Sequence, residues 1–90
     1  MKVAVKGWVT GKVQRVFYRA TIQEACMNLG LTGYAKNLPD GRVEVLLCGD
    51  EESVKKGQDA VARGSAASRV DAVDWQPCSP DEATEEFLYL

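Results

Sequence analysis

The stretch GKVQRVFYRA, at positions 11–20, brings a glycine and two arginines together just before an amphipathic segment. A turn that glycine opens can direct successive backbone N–H groups at one point, and the start of a helix favours negative charge there. Arg19 would stand at that helix start, where its planar guanidinium matches a tetrahedral oxyanion. The stretch therefore predicts a pocket for an anion such as phosphate.

The side chains available elsewhere restrict the phosphate chemistry that such a pocket could support. The chain has no histidine, no carboxylates clustered near Arg19 and no metal-ligand spacing, so a poor alkoxide leaving group would receive neither a proton nor a metal ion. A carboxylate needs no such help because its conjugate acid has a pKa of about 4. The residues favour cleavage of an acyl phosphate by positioning and charge stabilisation, without a metal or other cofactor.

Hydrophobic periodicity indicates the elements that must position this pocket. Residues 2–10 place Val3, Val5 and Val9 on one face, which is the period of a half-buried strand. Residues 19–30 carry a single apolar stripe and end at Gly30, which is typical of an amphipathic helix with a glycine stop. Residues 11–18 are therefore expected to form a loop between a strand and a helix.

The rest of the chain continues this alternation of elements. We expect a strand over 33–37, a hairpin turn over 37–41, a strand over 42–48, a helix over 52–63 and strands over 68–78 and 85–90. The second helix is weakened by Gly57, which costs about 1 kcal/mol against alanine in a helix interior. The order is βαββαβ plus a terminal strand. It predicts an α+β, ferredoxin-like sandwich, an antiparallel-dominated five-stranded sheet with two helices on one face, as one domain over residues 1–90.

Composition limits the compartment and the partners. With 46% hydrophobic and 27% charged residues, the 90-residue chain is typical of a globular protein, and its N-terminal residues are too polar for a membrane span, so we expect a cytoplasmic protein without a membrane partner. We also expect it to act as a monomer, although composition does not determine this. Three cysteines without a CxxC pair indicate reduced thiols rather than a zinc or redox site. The net charge of −2, with no basic stripe and no aromatic strand of the RNA-binding type, argues against nucleic acid as a partner.

Charge is distributed unevenly between the two halves. Residues 1–42 hold seven Lys or Arg and two acids, whereas residues 43–90 hold four and eleven. An anionic ligand would be drawn to the first half, unless folding interleaves the halves so that the asymmetry largely cancels.

GKVQRVFYR (11–19) and GYAKNLPDGRVEV (33–45) together resemble the acylphosphatase family, whose motifs are a GxVQGVxFR-type loop and a GxxxNxxDGxVE-type strand and hairpin. The resemblance spans the chain and implies hydrolysis of a small acyl phosphate to a carboxylate and inorganic phosphate. It implies that Arg19 binds the phosphate and that Asn37 orients the attacking water. An amide cannot act as a base near neutral pH, but it can hold a water in line. The loop positions that would surround the phosphate are Gln14, Arg15, Val16, Phe17 and Tyr18.

Arg15 departs from the family pattern, which has glycine at this position. Glycine in such a loop usually indicates a positive φ or a close approach to the ligand, and a side chain there could cost about 1 to 2 kcal/mol. Three interpretations follow: a solvated side chain on a slightly reshaped loop, a change that weakens phosphate binding, or an extra phosphate contact. The alternative function is therefore a phosphate-binding or other anion-binding module whose turnover is weak or lost.

Overall fold

The computed structural model describes residues 2–80 and 86–89, in which five strands and two helices follow the predicted order. They are β1 (Lys2–Lys12), α1 (Tyr18–Asn28), β2 (Thr32–Asn37), β3 (Val43–Asp50), α2 (Glu51–Arg63), β4 (Arg69–Cys78) and β5 (Phe87–Tyr89). The strand predicted over 85–90 forms over its central part, and positions 85 and 90 lie outside the described residues.

The strands form one sheet in the order β4-β1-β3-β2-β5. β1 pairs antiparallel with both β3 and β4, and β2 pairs antiparallel with β3. β5 lies parallel to β2 at the far edge. The predicted α+β, ferredoxin-like fold with an antiparallel-dominated sheet is confirmed, and β2–β5 is its parallel pair.

Both helices cover the same face of the sheet. Alternate residues of β3, Val43, Val45 and Leu47, share one buried cluster with Ile22 of α1 and Val61 of α2. Side chains alternate along a strand, so the residues between them face away from the helices. Trp75 of β4 packs at the edge of the same cluster, over Gly7.

Gly57 has a packing role that its helix propensity does not reveal. It is buried in the middle of α2, and a Cβ there would lie 2.7 Å from Leu31 Cδ1 and 3.2 Å from Leu47 Cδ1. The missing side chain lets α2 approach the sheet closely. The glycine is thus accommodated by tertiary packing, and the helix forms with the bounds Glu51–Arg63.

The loop predicted over 11–18 is shorter than expected. β1 continues through Gly11 to Lys12, and the pairing with β4 shifts register between Thr10 and Gly11. Gly11 has a φ of 137°, and a Cβ on it would lie 2.1 Å from the carbonyl oxygen of Arg69. Its physical role is therefore close approach to the neighbouring strand, and the prediction that this glycine opens the loop was wrong.

Candidate active site

The pairing of three strands brings the predicted site residues to one end of the sheet. Val43, the first residue of β3, lies between Val9 of β1 and Asn37 of β2. Asn37 is the last residue of β2 and β1 ends at Lys12, so both strands end on this side. The loop of residues 13–17 leaves β1 here and leads directly into α1.

The loop contains two residues in the left-handed backbone conformation, separated by one position. Arg15 has a φ of 63° and Phe17 a φ of 60°, and they are the non-glycine residues with positive φ in the described part of the chain. Left-handed residues within a turn are a feature of anion-binding loops, in which successive N–H groups point toward one place. The positive φ of Arg15 and Phe17 is the conformation expected of such a loop, even though Arg15 occupies the position at which the family has glycine.

The start of α1 follows these loop residues directly and lacks a side-chain cap. Phe17 is the N-cap residue and offers no side-chain acceptor to the first N–H groups of the helix. The first turn, which begins with Tyr18 and Arg19, contains no acidic residue. No side-chain cap and no acidic residue of the first turn therefore offsets the positive end of the α1 dipole, which favours a negative charge at this end of the helix.

Arg19 is the second residue of α1 and is partly exposed. The preceding Tyr18 is only 1% exposed, and its hydroxyl donates a hydrogen bond of 2.7 Å to the carbonyl oxygen of Val61. Burial, with a smaller contribution from the Cys26 charge, raises the pKa of Tyr18. This neutral phenol anchors the helix start in the core.

The remaining loop residues differ in what their side chains contact. Val16 is buried with the core, whereas Arg15 is exposed and Phe17 is 82% exposed. The side-chain amide nitrogen of Gln14 donates hydrogen bonds to the carbonyl oxygens of Leu38, at 2.8 Å, and Arg42, at 2.9 Å. Gln14 thus connects the loop to the hairpin turn that follows Asn37.

Ser65 is a residue of this region that sequence reasoning missed. Its hydroxyl donates to the carbonyl oxygen of Val16 at 2.7 Å and so fastens the loop to the segment after α2. The two residues are 49 positions apart, and no periodicity or motif at Ser65 indicates the contact.

Asn37 carries an unsatisfied acceptor. Its Oδ1 is buried and has no hydrogen-bond partner. No other buried side-chain nitrogen or oxygen atom within residues 2–80 and 86–89 lacks one. Buried polar atoms are nearly always hydrogen-bonded, and an exception calls for a functional or solvent explanation. A bound water or ligand donor at the end of β2 would satisfy it.

The turn after Asn37 is well ordered by its own hydrogen bonds. The Leu38 amide donates to the Arg42 carbonyl oxygen at 2.8 Å, and Gly41 takes a φ of 95°. Backbone and side-chain hydrogen bonds from Arg42 hold the pKa of Asp40 below its ordinary value. The turn therefore holds Asn37 at a defined place relative to β3.

The described residues show neither a metal-binding cluster nor a membrane-spanning helix. They contain no group of three or more His, Cys, Asp or Glu side chains that could hold a metal ion. Neither α1 nor α2 has the length and hydropathy of a membrane-spanning helix.

Known proteins match the chain both in sequence and in fold. The family model described as Acylphosphatase matches residues 5–88. An acylphosphatase of Chromohalobacter salexigens is 50% identical over 70 residues, which are 78% of each chain. One from Halorhodospira halophila is 46% identical over 79 residues, covering 88% of this chain and 85% of the relative. The crystal structure of an acylphosphatase from Bacillus subtilis superposes with a TM-score of 0.92 at 31% identity, covering 98% of both chains.

Proposed function

The chain belongs to the acylphosphatase family, and we propose that it hydrolyses the carboxyl–phosphate anhydride of a small acyl phosphate to a carboxylate and inorganic phosphate without a metal ion. The main support from the site is the buried, unpartnered Oδ1 of Asn37 at the same end of the sheet as the anion-shaped loop. One feature can hold water and the other can hold phosphate, which are the two reactants of a hydrolysis.

The phosphate group is held by the loop backbone and by Arg19. Amides of residues 14–18 donate to the phosphate oxygens, and the α1 dipole favours the negative charge. The Arg19 guanidinium adds donors in a planar fork suited to two oxygens. Because the phosphoryl-transfer transition state spreads charge over the equatorial oxygens, donors fixed in advance lower its energy.

Asn37 orients the attacking water. Its Oδ1 accepts a hydrogen bond from the water and leaves an oxygen lone pair directed at phosphorus. The amide does not remove the proton, since it neither gains nor loses one near neutral pH. The phosphate oxygens of the substrate take that proton, and the carboxylate departs unprotonated because its conjugate acid has a pKa of about 4.

The test is hydrolysis of acetyl phosphate in the presence of a chelator. Arg19→Ala and Asn37→Ala should each lower kcat by about a hundredfold or more, the usual cost of removing a donor or positioning group at the reacting centre. Arg19→Ala should also weaken inhibition by inorganic phosphate, whereas Asn37→Ala should leave it nearly unchanged. Arg63→Ala and Asn28→Ala remove an exposed arginine and an exposed asparagine at helix ends and serve as matched controls.

Three results would contradict the proposal. Loss of turnover on chelation would contradict the metal-free mechanism, and full turnover by Asn37→Ala would contradict the assigned water. Phosphate inhibition or binding without hydrolysis by the unmodified chain would instead favour the anion-binding module. The residues named for the reaction belong to one chain, so an active monomer is expected, and light scattering on the active fraction checks it.

A further inference from the structure

The side chain of Gln14 joins the two halves of the site. Its amide nitrogen lies within hydrogen-bond distance of two carbonyl oxygens, those of Leu38 and Arg42, at 2.8 and 2.9 Å. Leu38 is the residue directly after Asn37, and Arg42 directly precedes β3. Both hydrogens of the Gln14 side-chain amide therefore bind carbonyl oxygens where the hairpin turn joins its two strands.

The two reactants are held by different elements of the fold. The phosphate is held by residues 14–18 and Arg19, at the junction of β1 and α1, whereas the water is held by Asn37 at the end of β2. β3 lies between these strands in the sheet, so backbone pairing connects them only through a third strand. In-line attack depends on the distance and angle between phosphorus and water, and a displacement near 1 Å can cost about a hundredfold in rate.

We propose that Gln14 is a positioning residue for the hydrolysis, whose side-chain amide sets the placement of the phosphate loop relative to the water held by Asn37. This inference rests on the proposed function. It assigns to the side chain a role distinct from the phosphate contact expected of the backbone amide of Gln14.

Glutamine suits this role chemically. Its terminal NH2 supplies two hydrogens from one atom, which matches two carbonyl oxygens on one side. A glutamate of the same shape has no donor when ionised, and a methionine of similar length has none at any pH. We call the two hydrogen bonds from Gln14 to the turn the bridge. Both replacements remove the bridge while keeping the length of the side chain.

Removing the bridge leaves neither carbonyl oxygen without a hydrogen-bond donor. The Arg42 carbonyl oxygen also accepts from the Leu38 amide at 2.8 Å, and the Leu38 carbonyl oxygen also accepts from the Gly41 amide at 3.2 Å. Each oxygen keeps a backbone donor when Gln14 is replaced, so the large penalty for an unsatisfied buried group does not arise. We therefore expect Gln14→Met to fold.

Ser65 provides a matched control because it fastens the same loop in a different direction. Its hydroxyl binds the Val16 carbonyl oxygen and ties the loop to the segment after α2. Ser65→Ala loosens the loop but leaves the bridge to the hairpin turn. This control therefore separates a general loss of order in the loop from a change in the position of the loop relative to Asn37.

The experiment is a double-mutant cycle on kcat with acetyl phosphate. Gln14→Met should lower kcat by about tenfold to a hundredfold, while the inhibition constant of inorganic phosphate changes by less than about threefold. In the Asn37→Ala background, where no water is positioned, the same substitution should lower kcat by less than about twofold. Ser65→Ala should lower kcat by equal factors in both backgrounds.

A pH profile gives a second readout, because pH changes the donor at position 14 within a single variant. In Gln14→Glu the carboxylate has no donor near neutral pH, but its protonated form can donate one O–H to a turn carbonyl. The kcat of this variant relative to the unmodified chain should therefore recover as pH falls toward about 4, the ordinary range of glutamate. The relative kcat of Gln14→Met should stay flat.

The outcomes separate this inference from the proposed function. Absence of acetyl phosphate hydrolysis by the unmodified chain refutes both. Hydrolysis that needs Asn37, combined with equal effects of Gln14→Met in the two backgrounds, refutes the role of Gln14 alone. If urea unfolding shows that Gln14→Met is not folded, the cycle is run with Gln14→Glu, and a flat relative pH profile then counts against the inference.

Discussion

Replacing Arg15 separates backbone strain from charge at the phosphate loop. Arg15 has a φ of 63°, in the left-handed region, and its side chain is exposed. Arg15→Ala removes the guanidinium but keeps a Cβ in that region, whereas Arg15→Gly removes both. The difference between the two variants is therefore the net effect of the Cβ on stability.

The magnitude follows from two opposing effects. A Cβ in the left-handed region costs about 1–2 kcal/mol, while glycine loses about 0.5–1 kcal/mol more conformational free energy on folding than alanine. Arg15→Gly should therefore be about 0.5–1 kcal/mol more stable to unfolding than Arg15→Ala. The same pair at exposed Lys12, which lies in β1 without a positive φ, should show the opposite sign.

Urea unfolding measures this difference directly. With a slope of about 1 kcal/mol per M for a chain of this size, the midpoints of the two Arg15 variants should differ by about 0.5–1 M. Equal midpoints, or the same sign at Arg15 and Lys12, would refute the assigned strain. The comparison does not depend on activity.

Kinetics of the same variants tests the effect of the charge. Because Arg15 already takes the left-handed conformation, glycine should leave the loop shape and kcat unchanged within about threefold. Loss of an exposed cation near the phosphate should raise KM by at most about fivefold in both variants, and added salt should reduce that effect. A tenfold rise of kcat in Arg15→Gly would show instead that the arginine distorts the loop.

Two further predictions concern stability. Gly57→Ala should destabilise the fold by about 1 kcal/mol, because overpacking against Leu31 outweighs the gain in helix propensity. In a Leu31→Val background, urea unfolding should show that the same substitution stabilises the fold. Stabilisation in the unmodified background would contradict the packing argument. Burial raises the pKa of Cys26 to about 12 from 9.0, so the folded state keeps a proton that the unfolded state releases, and stability should fall as pH rises above 9. Urea midpoints between pH 8 and 11 should decline less in Cys26→Ala, and an equal decline would rule out this thiol as the cause.

The sequence predicted the elements well where a local pattern defines them. The alternating valines of β1 and the apolar stripe of α1 gave bounds within two residues of those observed. Gly30 and Gly41 were assigned to a helix stop and a turn, and both have positive φ. The role of Gly11 was misinterpreted and the packing role of Gly57 was missed, because each glycine is required by a neighbour distant in sequence, Arg69 for Gly11 and Leu31 for Gly57.

The candidate site divides in the same way. We could identify from the sequence alone the residue types, the order of elements and the candidates Arg19 and Asn37. Motif spacing and periodicity are properties of short segments, so they are visible without a structure. Their catalytic roles stay predictions. Only the tertiary structure decided what holds the loop, since Gln14 reaches Leu38 across 24 positions and Ser65 reaches Val16 across 49. A hydrogen bond between such distant residues depends on where the sheet and α2 place them, and no pattern within either segment encodes that placement.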